Sequence, residues 1–177
     1  MTLYTVALFL HIAGALGLFA TLALDWVALT NLRRATDVAQ VREWASLFRT
    51  VRVLGPASLA ALLVFGLYMT ATTWGPTAWI GLGIVGLILI GALGATSGIR
   101  IARLLDRTDR GIIEELRAPI FANSIRMRTA LALWIVFLMT AKTDLVTSLG
   151  VLAIATLAGI AVSVRASRGV QRREVAA

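Results

Sequence analysis

The sequence predicts an all-α bundle of five membrane-spanning helices forming a single domain over residues 1–177, and three observations carry that expectation. Apolar residues make up 59% of the chain and charged residues only 15%, too few to cover a soluble globule. The apolar residues collect in stretches close to the roughly 20 needed to cross a hydrocarbon core about 30 Å thick. No stretch alternates with period two as barrel strands do, so the backbone satisfies its own hydrogen bonds as helix.

Taken in order, the first span covers residues 3–29, the second 54–73 and the third 79–99. The fourth covers 122–142, with an uncharged core over 129–141 and a helical lead-in after Pro119, so that Arg126 and Arg128 must snorkel. The fifth covers 145–164. Between the first and second spans, residues 37–51 place Val38, Val41, Trp44, Phe48 and Val51 three or four positions apart, an amphipathic helix capped by Asp37. Residues 109–118 read the same way through Ile112, Ile113 and Leu116, with Pro119 starting the next helix. Both segments are expected to lie on the membrane surface or to extend the spans.

Charge gives the orientation. Every arginine falls after the first span, between the third and fourth, or in the tail, which is one side of a five-span bundle. The other side holds Lys142, the one lysine. The positive-inside rule then puts the N-terminus outside and the C-terminus in the cytoplasm. The net charge of +8 is accounted for by these three clusters facing anionic lipid headgroups, so nucleic acid is not an expected partner. The N-terminal run lacks a basic leader and a small-residue cleavage site, and is read as a retained span. The chain has no cysteine, which excludes disulfide and thiolate chemistry.

Small residues mark expected helix contacts. In "GLGIVGLILIGALGATSG" Gly94 and Gly98 lie four apart on one face, and the first span has a comparable face through Ala13, Gly14 and Gly17. Such faces let helix backbones approach closely where apolar burial offers no drive. The expectation is that these two faces pack on each other, with a homodimer contact as the alternative. Trp74 and Trp79 flank the turn "WGPTAW" and fit an interfacial aromatic belt.

Ionisable groups at membrane depth are functional candidates because burying them is costly. His11, the single histidine, sits in the outer half of the first span, and Asp25 lies about 21 Å further along the same helix, about 40° around its axis. The two share a face with Gly14, Leu18 and Leu22. Arg52, Arg100 and Arg128 are available to Asp25 as ion-pair partners. For His11 the readings are a hydrogen bond to Tyr68, Thr140 or a backbone carbonyl, or axial ligation of haem b opposite Met69, Met139, Lys142 or a second copy of His11. Proton relay also stands, whereas one histidine is a poor zinc or copper set. Lys142 and Asp144 fit the helix ends of a tight outer turn, with an extracytoplasmic Lys and Asp site near His11 as the alternative.

Three stretches, "LFLHIAGALGLF", "LGPASLAALLVFGLYM" and "FLMTAKTDLVTSL", resemble a family of small bacterial integral-membrane proteins of unknown function. There the last turn often reads Lys-Pro-Asp, and here Thr143 stands for the proline. More distantly, an outer-half histidine followed by small residues is similar to the copper-resistance D proteins and the HemJ-type protoporphyrinogen oxidases, four-helix proteins associated with copper uptake and haem. Those carry a tryptophan and glycine pair soon after the histidine, where this chain has Leu18 and Phe19, so the haem implication rests on His11. The resemblance implies the bacterial inner membrane. The expected role is a non-enzymatic accessory or interaction subunit. The alternatives are a haem-binding redox protein and, third, a small-solute or ion transporter, for which no internal repeat speaks.

Overall fold

The computed structural model describes residues 2–105, 111–142, 146–147, 149–151 and 153. Five helices follow one another: α1 (Leu3–Arg34), α2 (Val38–Met69) continued by a π-helical turn (Thr70–Trp74), α3 (Ala78–Leu105), the short α4 (Gly111–Leu116) and α5 (Pro119–Ala141). Among the described residues, four stretches are long and apolar enough to cross a membrane: α1, α2 with its π turn, α3, and α4 with α5. The expected fifth span, 145–164, lies largely outside the described residues, and Asp144 lies outside them entirely.

Large apolar side chains such as Leu3, Phe9, Leu16, Val64, Ile88 and Leu133 point outward all along these helices. A water-soluble surface would not carry so continuous an apolar coat, whereas lipid tails solvate it. At 32 residues α1 is about 48 Å long, some 18 Å more than the hydrocarbon core requires. The surplus lies at the arginine-rich end. There the 37–51 segment is no separate surface helix: it runs on into the second span as one helix, α2.

The α1–α2 hairpin is tight because its caps are local. Asp37 Oδ1 accepts from the Gln40 backbone N–H at 2.8 Å, and Gln40 Oε1 in turn accepts from the Thr36 N–H at 3.2 Å. This reciprocal pairing satisfies donors that a helix start leaves open. The carbonyls ending α1 are met from the other side: Arg117 Nε donates to the Arg33 carbonyl at 3.2 Å, while Arg33 Nη2 donates to the Arg117 carbonyl at 3.0 Å. Proline at the first position starts α5, where its missing N–H costs nothing.

Helix α1 packs along α2, and α3 along α5, while α2 and α3 meet more sparsely. The small face of α1 is used against α2, not against the third span as the sequence suggested. A Cβ at Gly14 would lie 3.1 Å from Ala61 Cβ, from the Leu62 N and from the Ser58 carbonyl oxygen, and one at Gly17 would strike Ser58. In α3 the glycines receive large side chains of α5: Met139 lies at Gly83, Ile135 and Trp134 at Gly86, and Arg128 at Gly94. Gly98 faces open space instead. Two cores result. One, at the arginine-rich end, joins Leu29, Leu32, Val41, Phe48, Leu116 and Phe121, and the other joins Leu18, Leu62, Leu87, Ile90, Trp134 and Leu138.

At the opposite end α5 stops on Lys142, whose backbone is left-handed at φ 48° and whose N–H meets the Leu138 carbonyl at 2.9 Å. A lysine there is compensated by its ammonium, which lies 3.9 Å from the centroid of the Trp74 ring. Trp74 stacks edge-on against Trp79 with ring centroids 5.9 Å apart. The two tryptophans and Lys142 thus tie the second, third and fourth spans together at this end.

Candidate functional site: a buried ion pair beside an apolar cavity

Asp25 is the buried acid of α1, and Arg128 of α5 is the partner it takes from the three arginines available to it. Arg128 Nη2 stands 2.6 Å from Asp25 Oδ2, with the two side chains only 9% and 4% exposed. One residue along, Trp26 Nε1 donates to Thr129 Oγ1 at 3.2 Å, a second link between the same two helices. The guanidinium lies flat against α3 because residue 94 is glycine: a Cβ there would come within 3.2 Å of Arg128 Nη1. Ser97 and Ser124, whose hydroxyls are 2.7 Å apart, join α3 to α5 nearby.

This ion pair borders a cavity of about 500 Å³ within the range of small-molecule sites. Leu18, Leu22, Leu59 and Ile90 wall its deep part, and Phe48, Arg52, Arg103 and Phe121 lie at its arginine-rich part. It occupies the seam where α2 and α3 pack sparsely. Two features of the sequence open that seam. Gly55, Gly91, Gly94 and Gly98 remove side chains from the facing walls. Pro56 lies inside α2 and withholds the N–H that would meet the Arg52 carbonyl, which weakens the helix at this level.

His11 is placed elsewhere. Its Nδ1 lies 3.0 Å from the Leu62 carbonyl, so that Nδ1 carries the proton and donates, leaving the Nε2 lone pair free. The ring packs on Gly66, where a Cβ would come within 3.1 Å of it. The expected hydrogen bond is therefore made to a backbone carbonyl. The Thr140 hydroxyl is instead spent on its own helix, on the Val136 carbonyl at 2.8 Å. Of the other outer-end residues, Met69 is buried on α2, Tyr68 is half-buried, Met139 fills the space at Gly83, and Lys142 is held over Trp74. Among the described residues there is no group of three His, Cys, Asp or Glu that could hold a metal ion.

No family model, curated protein or solved structure matches this chain. Sequence reasoning singled out Asp25, Gly94 and Gly98, which all line or border the cavity, but not the cavity itself. Its one readable trace was Gly55-Pro56, a helix-weakening pair within a span.

Proposed function

We propose that this is a multi-pass membrane protein that holds an amphipathic molecule within its bundle, acting as a non-enzymatic accessory or interaction subunit. The cavity carries this reading: long apolar walls, with polar groups gathered at one end, fit a molecule that is itself apolar along most of its length. The two ionisable groups singled out at membrane depth on α1 are both used in packing, Asp25 toward α5 and His11 toward α2. The clustering of arginines at one end supports a cytoplasmic location for that end, an outside N-terminus and a five-span topology. The motif resemblance supports the bacterial inner membrane.

A ligand that binds only the folded bundle raises its stability by mass action. In mild detergent, added bilayer lipid should raise the melting temperature of the stripped protein but not that of a Gly98→Leu variant, whose new side chain occupies the cavity. Equal responses of the two proteins would remove the reading.

A second reading rests on His11. A ring fixed by an Nδ1–H to a carbonyl, with Nε2 free, is the arrangement second-shell bonds give to metal-ligating histidines. That edge fits an axial haem ligand. Absorption spectra of oxidised and dithionite-reduced protein from haem-supplied cells decide it. The preferred reading gives a flat spectrum in both the wild type and His11→Ala, whereas a Soret band lost in the variant would replace it with a haem protein.

A further inference from the structure

We infer that the molecule held in the cavity is an anionic phospholipid, its phosphate at Arg128, Arg52 and Arg103 and its acyl chain along Leu18, Leu59 and Ile90; this rests on the amphiphile-binding reading above. Four observations carry it. The first is an unmet donor. Arg128 lines the cavity with its side chain 9% exposed, and its buried Nε–H has no acceptor. Buried donors are nearly always paired, and a guanidinium N–H is a strong one. Asp25 meets Nη2 but does not satisfy Nε.

The second is charge. The lining holds three arginines against one carboxylate, and Asp25 is already committed to Arg128. Arg52 and Arg103 are exposed and have no acidic partner among the described residues. A neutral amphiphile would leave the charges of Arg52 and Arg103 without a counter-charge in the lining.

The third is depth. Counting about 20 residues from Leu3 brings the end of the hydrocarbon core to the neighbourhood of Leu22 and Asp25. The arginines therefore stand at headgroup level. The apolar walls continue inward from them: from Asp25 to Leu18 the cavity follows α1 for about 10 Å.

The fourth is the glycine wall. Gly98 has nothing within 4 Å of the place a Cβ would take, and it lines the cavity. Space is therefore kept beside the arginines on the side where a headgroup would enter between α2 and α3.

The test uses the full chain, stripped of lipid in a mild detergent and titrated with a phosphatidylglycerol or a phosphatidylcholine of the same acyl chains, binding being read from native mass spectra. The anionic lipid should bind more tightly, and Arg52→Gln and Arg103→Gln should each weaken it by roughly fivefold, the effect of one basic residue on an anionic headgroup. Neither variant touches the Asp25–Arg128 pair, so both should remain folded. Inorganic phosphate at millimolar concentration should not displace the lipid, since it has no chain to fill the apolar part. Equal binding of both lipids, unmoved by the arginine variants, would overturn the headgroup inference while leaving amphiphile binding intact. Displacement by free phosphate would overturn the lipid as the source. Absence of any bound lipid on the folded wild type would overturn both.

Discussion

Arg128→Ala should cost about 3–5 kcal/mol of stability, the range for removing one partner of a buried ion pair. The loss comes less from the missing attraction than from what is left behind. Asp25, 4% exposed, would be left as a buried carboxyl group without a partner at the edge of the hydrocarbon. Beside it the α1–α5 contact has the polar link from Trp26 to Thr129. A double replacement, Asp25→Leu with Arg128→Met, should recover most of the loss because no charge is then buried alone. Steric-trap unfolding in bicelles reads both. A single variant within 1 kcal/mol of wild type, as an order of magnitude for exposed pairs, would show that the pair does not hold these helices.

Gly14→Leu is the second large expected effect. The atoms facing its missing side chain are partly backbone, the Leu62 N and the Ser58 carbonyl oxygen at 3.1 Å, which cannot rotate away. The new side chain forces α1 from α2, and since these helices pack along most of their length the damage should spread beyond one turn. Overfilling a packed contact typically costs about 1–3 kcal/mol, and a backbone obstacle puts this variant at the upper end. Gly98→Leu provides the control, because the same change of side chain meets open space there. In thermal unfolding monitored by helix signal, the first variant should fall well below wild type. The second, compared with wild type after both are stripped of lipid, should match or exceed it, because leucine is the better helix former by nearly 1 kcal/mol.

The contrast between those two glycines shows what could be read in advance. Apolar stretches of about 20 residues specify a candidate span almost by themselves, so the first four spans were legible. Asp25 demanded an arginine on its own end for a plain energetic reason, and Arg128 was among the three named. Which of the three could not be told, because that depends on the glycine at position 94 letting a guanidinium lie on α3. Small faces announce a contact without saying with whom: the face of α1 went to α2, whereas the α3 glycines took up large α5 side chains. The continuity of α2 through residues 37–51 was equally open, since an amphipathic stretch reads alike on a surface or as an extension. The cavity was hidden for the deepest reason. It is a property of how four helices miss one another, and no local pattern records the shape of what is not filled.

A native mass spectrum of the gently extracted protein beside its Gly98→Leu variant reports most directly on whether that space is used. One bound amphiphile per chain on the wild type, with the mass of a bilayer phospholipid and absent from a folded Gly98→Leu, is the expected result. An identical set of masses bound to both proteins, or none bound to either, would contradict ligand binding in the cavity.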